Sequence, residues 1–183
     1  MVGVVGGPTL LLGPQPWLSQ GDIFSDIPII ESMMNENGLD VQVAHGPGLL
    51  LTHGCALDKK TGAGVLTVKR LHFLPLRAIS SLLPEQQTTA RRNPAEITPP
   101  EVLYLGEVPG LTEAHVLLSE PFYLPAALFE IALVPFRLND EDDEERMLVA
   151  RAHDSRVARL APSHVEVLLD KMNAYWTRRE PIR

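Results

Sequence analysis

The stretch Ala44–Lys60 reads AHGPGLLLTHGCALDKK, and its interpretation decides the fold. His45-Gly46-Pro47-Gly48 predicts a tight turn, because glycine and proline supply the backbone angles that turns need. Leu49–Leu51 then predicts a short strand that is apolar on both faces and therefore buried. Thr52–Lys60 follows as a polar loop carrying a hydroxyl, an imidazole, the only thiol, a carboxylate and two ammonium groups. A buried strand that delivers polar groups to a surface loop is a common way to build a site. Thr52, His53, Cys55, Asp58, Lys59 and Lys60 are therefore the expected binding loop.

Working outward, Gly62-Ala63-Gly64 turns the chain into two further strands, Val65–Lys69 and Leu71–Leu76, the second ended by Pro75. Upstream, Gln20–Pro28 predicts a turn and a short strand. Glu31–Asp40 is polar and reads as a loop around Asn35, Asn37 and Gly38, with Asp40–Ala44 as an edge strand. Residues 1–19 read as an extended arm: its prolines exclude a helix, while Leu10, Leu11 and Leu12 can add a strand to a sheet. That strand packs over its own domain or pairs with another subunit, since an exposed apolar arm needs cover. Trp17 is counted with the three leucines as a partner contact.

Downstream, 77–100 changes character. Ile79–Leu83 and Glu85–Arg92 predict short helices punctuated by Pro84, Asn93-Pro94 and Pro99-Pro100. This segment is expected to be a surface insertion, spanning 77–125 in all, with strand candidates at Val102–Gly106, His115–Ser119 and Phe122–Leu124. Leu128–Arg137 reads as a core strand and Met147–Ala152 as an element beyond the acidic run Asp140–Glu145. That run lacks the glycine spacing of a calcium loop and reads as solvated. Ser163 and Glu166 form a capping-box pattern after Pro162. Val165, Leu168, Leu169, Met172, Tyr175 and Trp176 recur at helical spacing, so a helix over 163–177 is expected to pack on the sheet. Arg178 and Arg179 favour its C-terminus.

Composition sets the outer limits. With 183 residues and 45% apolar content, the chain suits one domain with a core that needs no staple. Sixteen prolines and thirteen glycines favour short strands and many turns. A net charge of −7 without a basic block speaks against a nucleic-acid partner. Cys55 is the only cysteine, which excludes an intrachain disulfide and points to a reducing, cytoplasmic setting. The N-terminus lacks a positive region and is broken by glycine and proline, so no signal peptide is expected. No run reaches the ~20 apolar residues that span a bilayer.

In their order, these pieces resemble the MazF/PemK toxin family. Gly21-Asp22-Ile23-Phe24 resembles the family's opening strand, and Gly46-Pro47-Gly48-Leu49-Leu50-Leu51 its Arg-Pro-aliphatic strand. Asp58-Lys59-Lys60-Thr61-Gly62 resembles the loop that follows. Leu74-Pro75-Leu76 resembles the next strand end, and Leu160-Ala161-Pro162 with its helix the closing element. The resemblance implies a mainly β fold with a C-terminal helix (α+β), built as a small SH3-like barrel over residues 20–183. It also implies RNA cleavage by an arginine before the Pro-aliphatic strand and a threonine after the next one. Here Gly46 stands in the arginine's place, and Arg77 and Ala78 where the threonine is expected. Losing one such donor costs roughly 100–1000-fold in rate. Arg77, with His45 or His53 as acid or base, is the remaining set of catalytic candidates.

Other chemistries find less. His53 and Cys55 share a face if extended, but a lone cysteine beside glycine is usually packing. No paired ligand motif suggests zinc, and neither a phosphate loop nor a serine elbow occurs, so no metal or cofactor is expected. The function expected is a non-catalytic interaction or assembly module that contacts protein partners or itself through the N-terminal arm, in the cytoplasm or as part of a phage particle. The alternative is a MazF-like endoribonuclease with rearranged site residues.

Overall fold

The computed structural model describes residues 10–14, 18–35, 38–57, 67–94, 96, 100–130 and 155–177. Its strands are β1 (Leu11–Leu12), β2 (Asp22–Asn35), β3 (Gly38–Leu50), β4 (Arg70–Ala78), β5 (Val102–Glu107), β6 (Glu113–Leu117), β7 (Phe122–Pro125) and β8 (Arg156–Leu160). They pair antiparallel in the order β1-β8-β2-β3-β4-β6-β5. β7 and β6 share the other edge of β4 end to end, on Arg70–Phe73 and Leu76–Ala78. Short helices α1 (Gly54–Leu57), α2 (Pro84–Arg92) and α3 (Ala127–Glu130) interrupt the strands, and α4 (Pro162–Thr177) ends the described chain. The fold is thus mainly antiparallel β with a C-terminal helix.

Hydrogen bonding leaves the sheet open, with β1 and β5 at its ends. It is nevertheless curled. Leu160 near one end and Leu103 and Leu105 at the other share one core, and a Cβ placed on Gly106 would lie 3.5 Å from Leu10 Cδ1.

Each central strand is apolar on both faces because the sheet carries a core on each side. Leu49, Leu51, Leu74 and Leu76 face a core closed by α4 through Leu168. Leu50, Leu71 and Phe73 face a second core with Phe24 and Phe129. There the Phe24 and Phe129 ring centroids are 5.5 Å apart at 73°, an edge-to-face pair. The Leu-Leu-Leu run is buried, as expected from its lack of a polar face.

The turn expected at His45–Gly48 is not there: these residues continue β3. The glycines serve close approach instead. A Cβ on Gly48 would lie 2.4 Å from Ile27 Cδ1, so a larger residue there would force the isoleucine to shift. The loop expected over Glu31–Asp40 is likewise mostly strand. β2 and β3 run on together from Ile27↔Gly46 to Asn35↔Gly38. Local polarity misled here because Asn35 and Gly38, read as loop formers, pair with each other at the far end of the two strands.

Pro75 does not end its strand either. Leu51 N–H donates to His72 O and His72 N–H to Thr52 Oγ1. By alternation, the nitrogen of Pro75 faces away from β3. It meets the gap between β7 and β6, where no donor is needed. Of the strand expected over Val65–Lys69, the described residues 67–69 are not strand.

The expected surface insertion at 77–125 divides. No residue of α2 is buried, whereas Val102, Leu103, Leu105, Val116 and Leu118 are core. The second half is therefore part of the sheet, corrected by its own apolar pattern. Leu128–Glu130 is helical rather than strand, and the acidic run Asp140–Glu145 and Met147–Ala152 lie outside the described residues.

The helix starts at Pro162, so Ser163 falls inside the first turn, where Ala161 O accepts from both His164 and Val165 N–H. Its buried residues are His164, Leu168 and Lys171. The stripe residue Trp176 is 49% exposed. His164 donates through Nε2 to Tyr104 O at 2.7 Å, fixing α4 to β5. Burial lowers the His164 pKa and pushes the Lys171 ammonium down to about 8.

Candidate functional site

A groove of about 620 Å³ opens where the α4-side core reaches the surface. Its floor is core or nearly so: Leu51, Leu118 and Met172. Its rim is polar and aromatic. β4 alternates Leu71 and Phe73 into one core with Arg70 and His72 into the groove. Tyr123 is directly opposite His72 on β7, and Arg70 lies over the Tyr123 ring at 4.5 Å. Trp176 at the end of α4 and His53 after β3 complete the wall. Tyr123 and Trp176 are each about half exposed, at 50% and 49%.

Among the described loop residues, Thr52, His53 and Ala56 reach this groove. Thr52 is buried, and its hydroxyl accepts the His72 N–H at 2.7 Å, extending the ladder past the end of β3. Cys55 N–H donates to His53 Nδ1 at 3.2 Å. Since that nitrogen must accept, a neutral His53 carries its proton on Nε2. Such a ring is a hydrogen-bond donor, not a base for the Cys55 thiol. Cys55 is an exposed free thiol. Asp58, Lys59, Lys60 and Trp17 lie outside the described residues.

The catalytic candidates are not gathered. His45 Nδ1 contacts Asp26 Oδ1 at 2.9 Å at the base of the β2–β3 ribbon. Arg77 donates through Nε and a terminal nitrogen to Glu120 Oε2 at 2.9 and 2.6 Å. His53 is in the groove, which neither His45 nor Arg77 lines. A carboxylate therefore stands beside the guanidinium where a scissile phosphate would need to approach.

The arm residues are used within the chain. Leu11 and Leu12 pair with Leu160 and Arg159 of β8, and Ala161 N–H donates to Leu10 O. Of the two uses expected of the arm, Leu10, Leu11 and Leu12 show the first, cover of their own sheet.

Two features escaped the sequence reading. One is the set Arg70, His72 and Tyr123, whose polar-apolar alternation with Leu71 and Phe73 was the available signal. The other is a cluster on β5, β6 and α2. Arg91 grips Glu113 with both carboxylate oxygens engaged, at 2.8 and 2.6 Å, and Tyr104 donates its hydroxyl to the same group. The Arg91 and Tyr104 hydrogen bonds hold the Glu113 carboxyl down to about 2. Burial, then Glu113, pushes the Tyr104 hydroxyl up to about 12. This set fastens α2 to the sheet. His115 is fully buried on the same face, and neither ring nitrogen has a hydrogen-bond partner among the described residues.

The ribbon is the other surface feature. Nine residue pairs of β2 and β3 extend beyond the sheet, about 30 Å at 3.4 Å per residue. Among the described residues, strand pairing of β8 with β2 ends at Phe24, with Ser25 N–H still donating to Ser155 O, and pairing of β4 with β3 ends at Gly48. Alternation explains the second departure: Pro47 would be the next donor to β4 and has no N–H. The same alternation turns the Val43 N–H outward, and Val43 is 65% exposed.

Among the described residues, no cluster of three His, Cys, Asp or Glu is placed to hold a metal, and no helix is long and apolar enough to cross a membrane. No family model, curated protein or solved structure matches this chain.

Proposed function

We propose that this chain is a non-catalytic interaction and assembly module on an SH3-like barrel of the MazF/PemK type, and that its contact element is the β2–β3 ribbon. The observation that carries this reading is the pair of ribbon edges beyond Ser25, whose N–H still donates to Ser155 O, and beyond Gly48, which no described strand covers. A lone two-stranded hairpin is marginal in water, and an open edge is a template for another strand. Pro28 and Pro47 lie at the ribbon's base, while Val43 presents an outward N–H and an exposed side chain. The curl that brings Leu10 to Gly106 supports the barrel assignment. The Glu120 carboxylate on Arg77 and the Asp26 carboxylate on His45 weigh against the endoribonuclease reading.

The occupant of the edge is a second copy of the chain. Repeated edge pairing of identical copies is a contact from which a shell or tube can be built, so the proposal includes a place in a phage particle. Sedimentation of the purified chain over a concentration series tests it. The wild type should associate, and Val43→Pro, which removes an outward donor, should remain monomeric with an unchanged fold. A wild-type monomer throughout, or association untouched by Val43→Pro, would overturn it.

A further inference from the structure

We infer that the groove between β4, β7 and α4 binds a small organic acid with an aromatic body, a function separate from assembly through the ribbon. Three observations carry this. The volume, about 620 Å³, lies in the roughly 300–1,000 Å³ range of small-molecule sites. The floor is apolar, with Leu51, Leu118 and Met172 beneath the rings of Phe122, Tyr123 and Trp176, so an aromatic body finds both area and stacking partners.

The third observation is charge. The chain carries −7 overall, yet among the described residues no carboxylate lines the groove. Its ionisable lining side chains are Arg70, His53, His72 and Tyr123. Among the described residues Arg70 has no carboxylate partner, unlike Arg77, Arg91 and Arg156, which pair with Glu120, Glu113 and Asp22. The Tyr123 ring holds the Arg70 guanidinium in place, and among the described residues its N–H groups meet no acceptor side chain. His53 adds an Nε2–H donor, because its other nitrogen is occupied by the Cys55 amide. A planar carboxylate matches this donor set, and a phosphate ester of a polymer would not match the apolar floor.

The test uses 2-naphthylacetate with its uncharged analogue 2-naphthylethanol, titrated into the full chain and read by calorimetry and by Trp fluorescence. The acid should bind about tenfold or more tightly than the alcohol, the scale of one charge-assisted hydrogen-bonding contact. Arg70→Gln should bring the two ligands level, and Trp176→Ala should weaken both, with unfolding temperatures unchanged. His72→Gln, on the groove wall but not fixed by a ring, should reduce the acid's advantage by less than Arg70→Gln. Equal affinity of the wild type for acid and alcohol, absence of binding, or an acid preference that survives Arg70→Gln would overturn the inference. Because Val43→Pro leaves the groove intact, its effect on association separates this result from the ribbon's.

Discussion

β2 and β3 form two different structures along their own length. At the root, Ile23, Phe24, Leu49 and Leu50 are buried between two cores and paired on every side. Beyond Gly48 the same two strands keep pairing with each other while no described strand pairs with them from outside, and Val43 is left 65% exposed. The root carries stability, and the ribbon carries an edge that no described strand pairs. One hairpin is thus divided into a part that folds the chain and a part available to a partner.

The division should break first at the root. Phe24 makes edge-to-face contacts with Phe73 at 5.8 Å and Phe129 at 5.5 Å, so Phe24→Ala should cost about 3–5 kcal/mol. Urea unfolding would read this as a lower midpoint with little change in slope. Gly48→Ala probes the boundary itself. The added Cβ would clash with Ile27 Cδ1 at 2.4 Å, and a loss of about 1–3 kcal/mol is expected. Ile27→Val removes the clashing methyl, so the double variant should recover part of that loss; a purely additive result would mean that the strand itself rejects alanine there.

Acid should loosen the attachment of α2 to the sheet through Glu113. Its carboxyl is held at about 2 against an ordinary 4.5. The unfolded chain therefore takes up the proton first as pH falls. The contribution is fully present above 4.5 and is lost on the way down to about 2. Glu113→Gln should flatten this part of the stability profile, and an unchanged profile would mean that Arg91 and Tyr104 do not act on this group in solution. Val43→Pro should have the smallest effect on folding, within about 0.5 kcal/mol, since its N–H serves no described pair. A large loss of stability in thermal unfolding would instead place Val43 in the root.

What was legible follows the same boundary. The burial of Leu49–Leu51, the strands at Leu71, Val102, His115 and Phe122, and the closing helix were readable because a packed face imposes a period. The ribbon was not, since Glu31–Asn35 is polar in sequence and glycine beside proline at 46–48 imitates a turn. Pro47 carried the decisive information in another form, as a missing donor rather than a bend. Of the site, Thr52 and His53 were found from their position after a buried strand. Arg70, His72 and Tyr123 were missed because the groove joins β4, β7 and α4, which lie far apart in sequence.

The most direct test is amide hydrogen exchange measured at low and high protein concentration. If the ribbon edge pairs with a second copy, protection of the Val43 amide should rise with concentration while that of Leu50, already inside the sheet, stays constant. Identical exchange of Val43 at both concentrations would contradict the account.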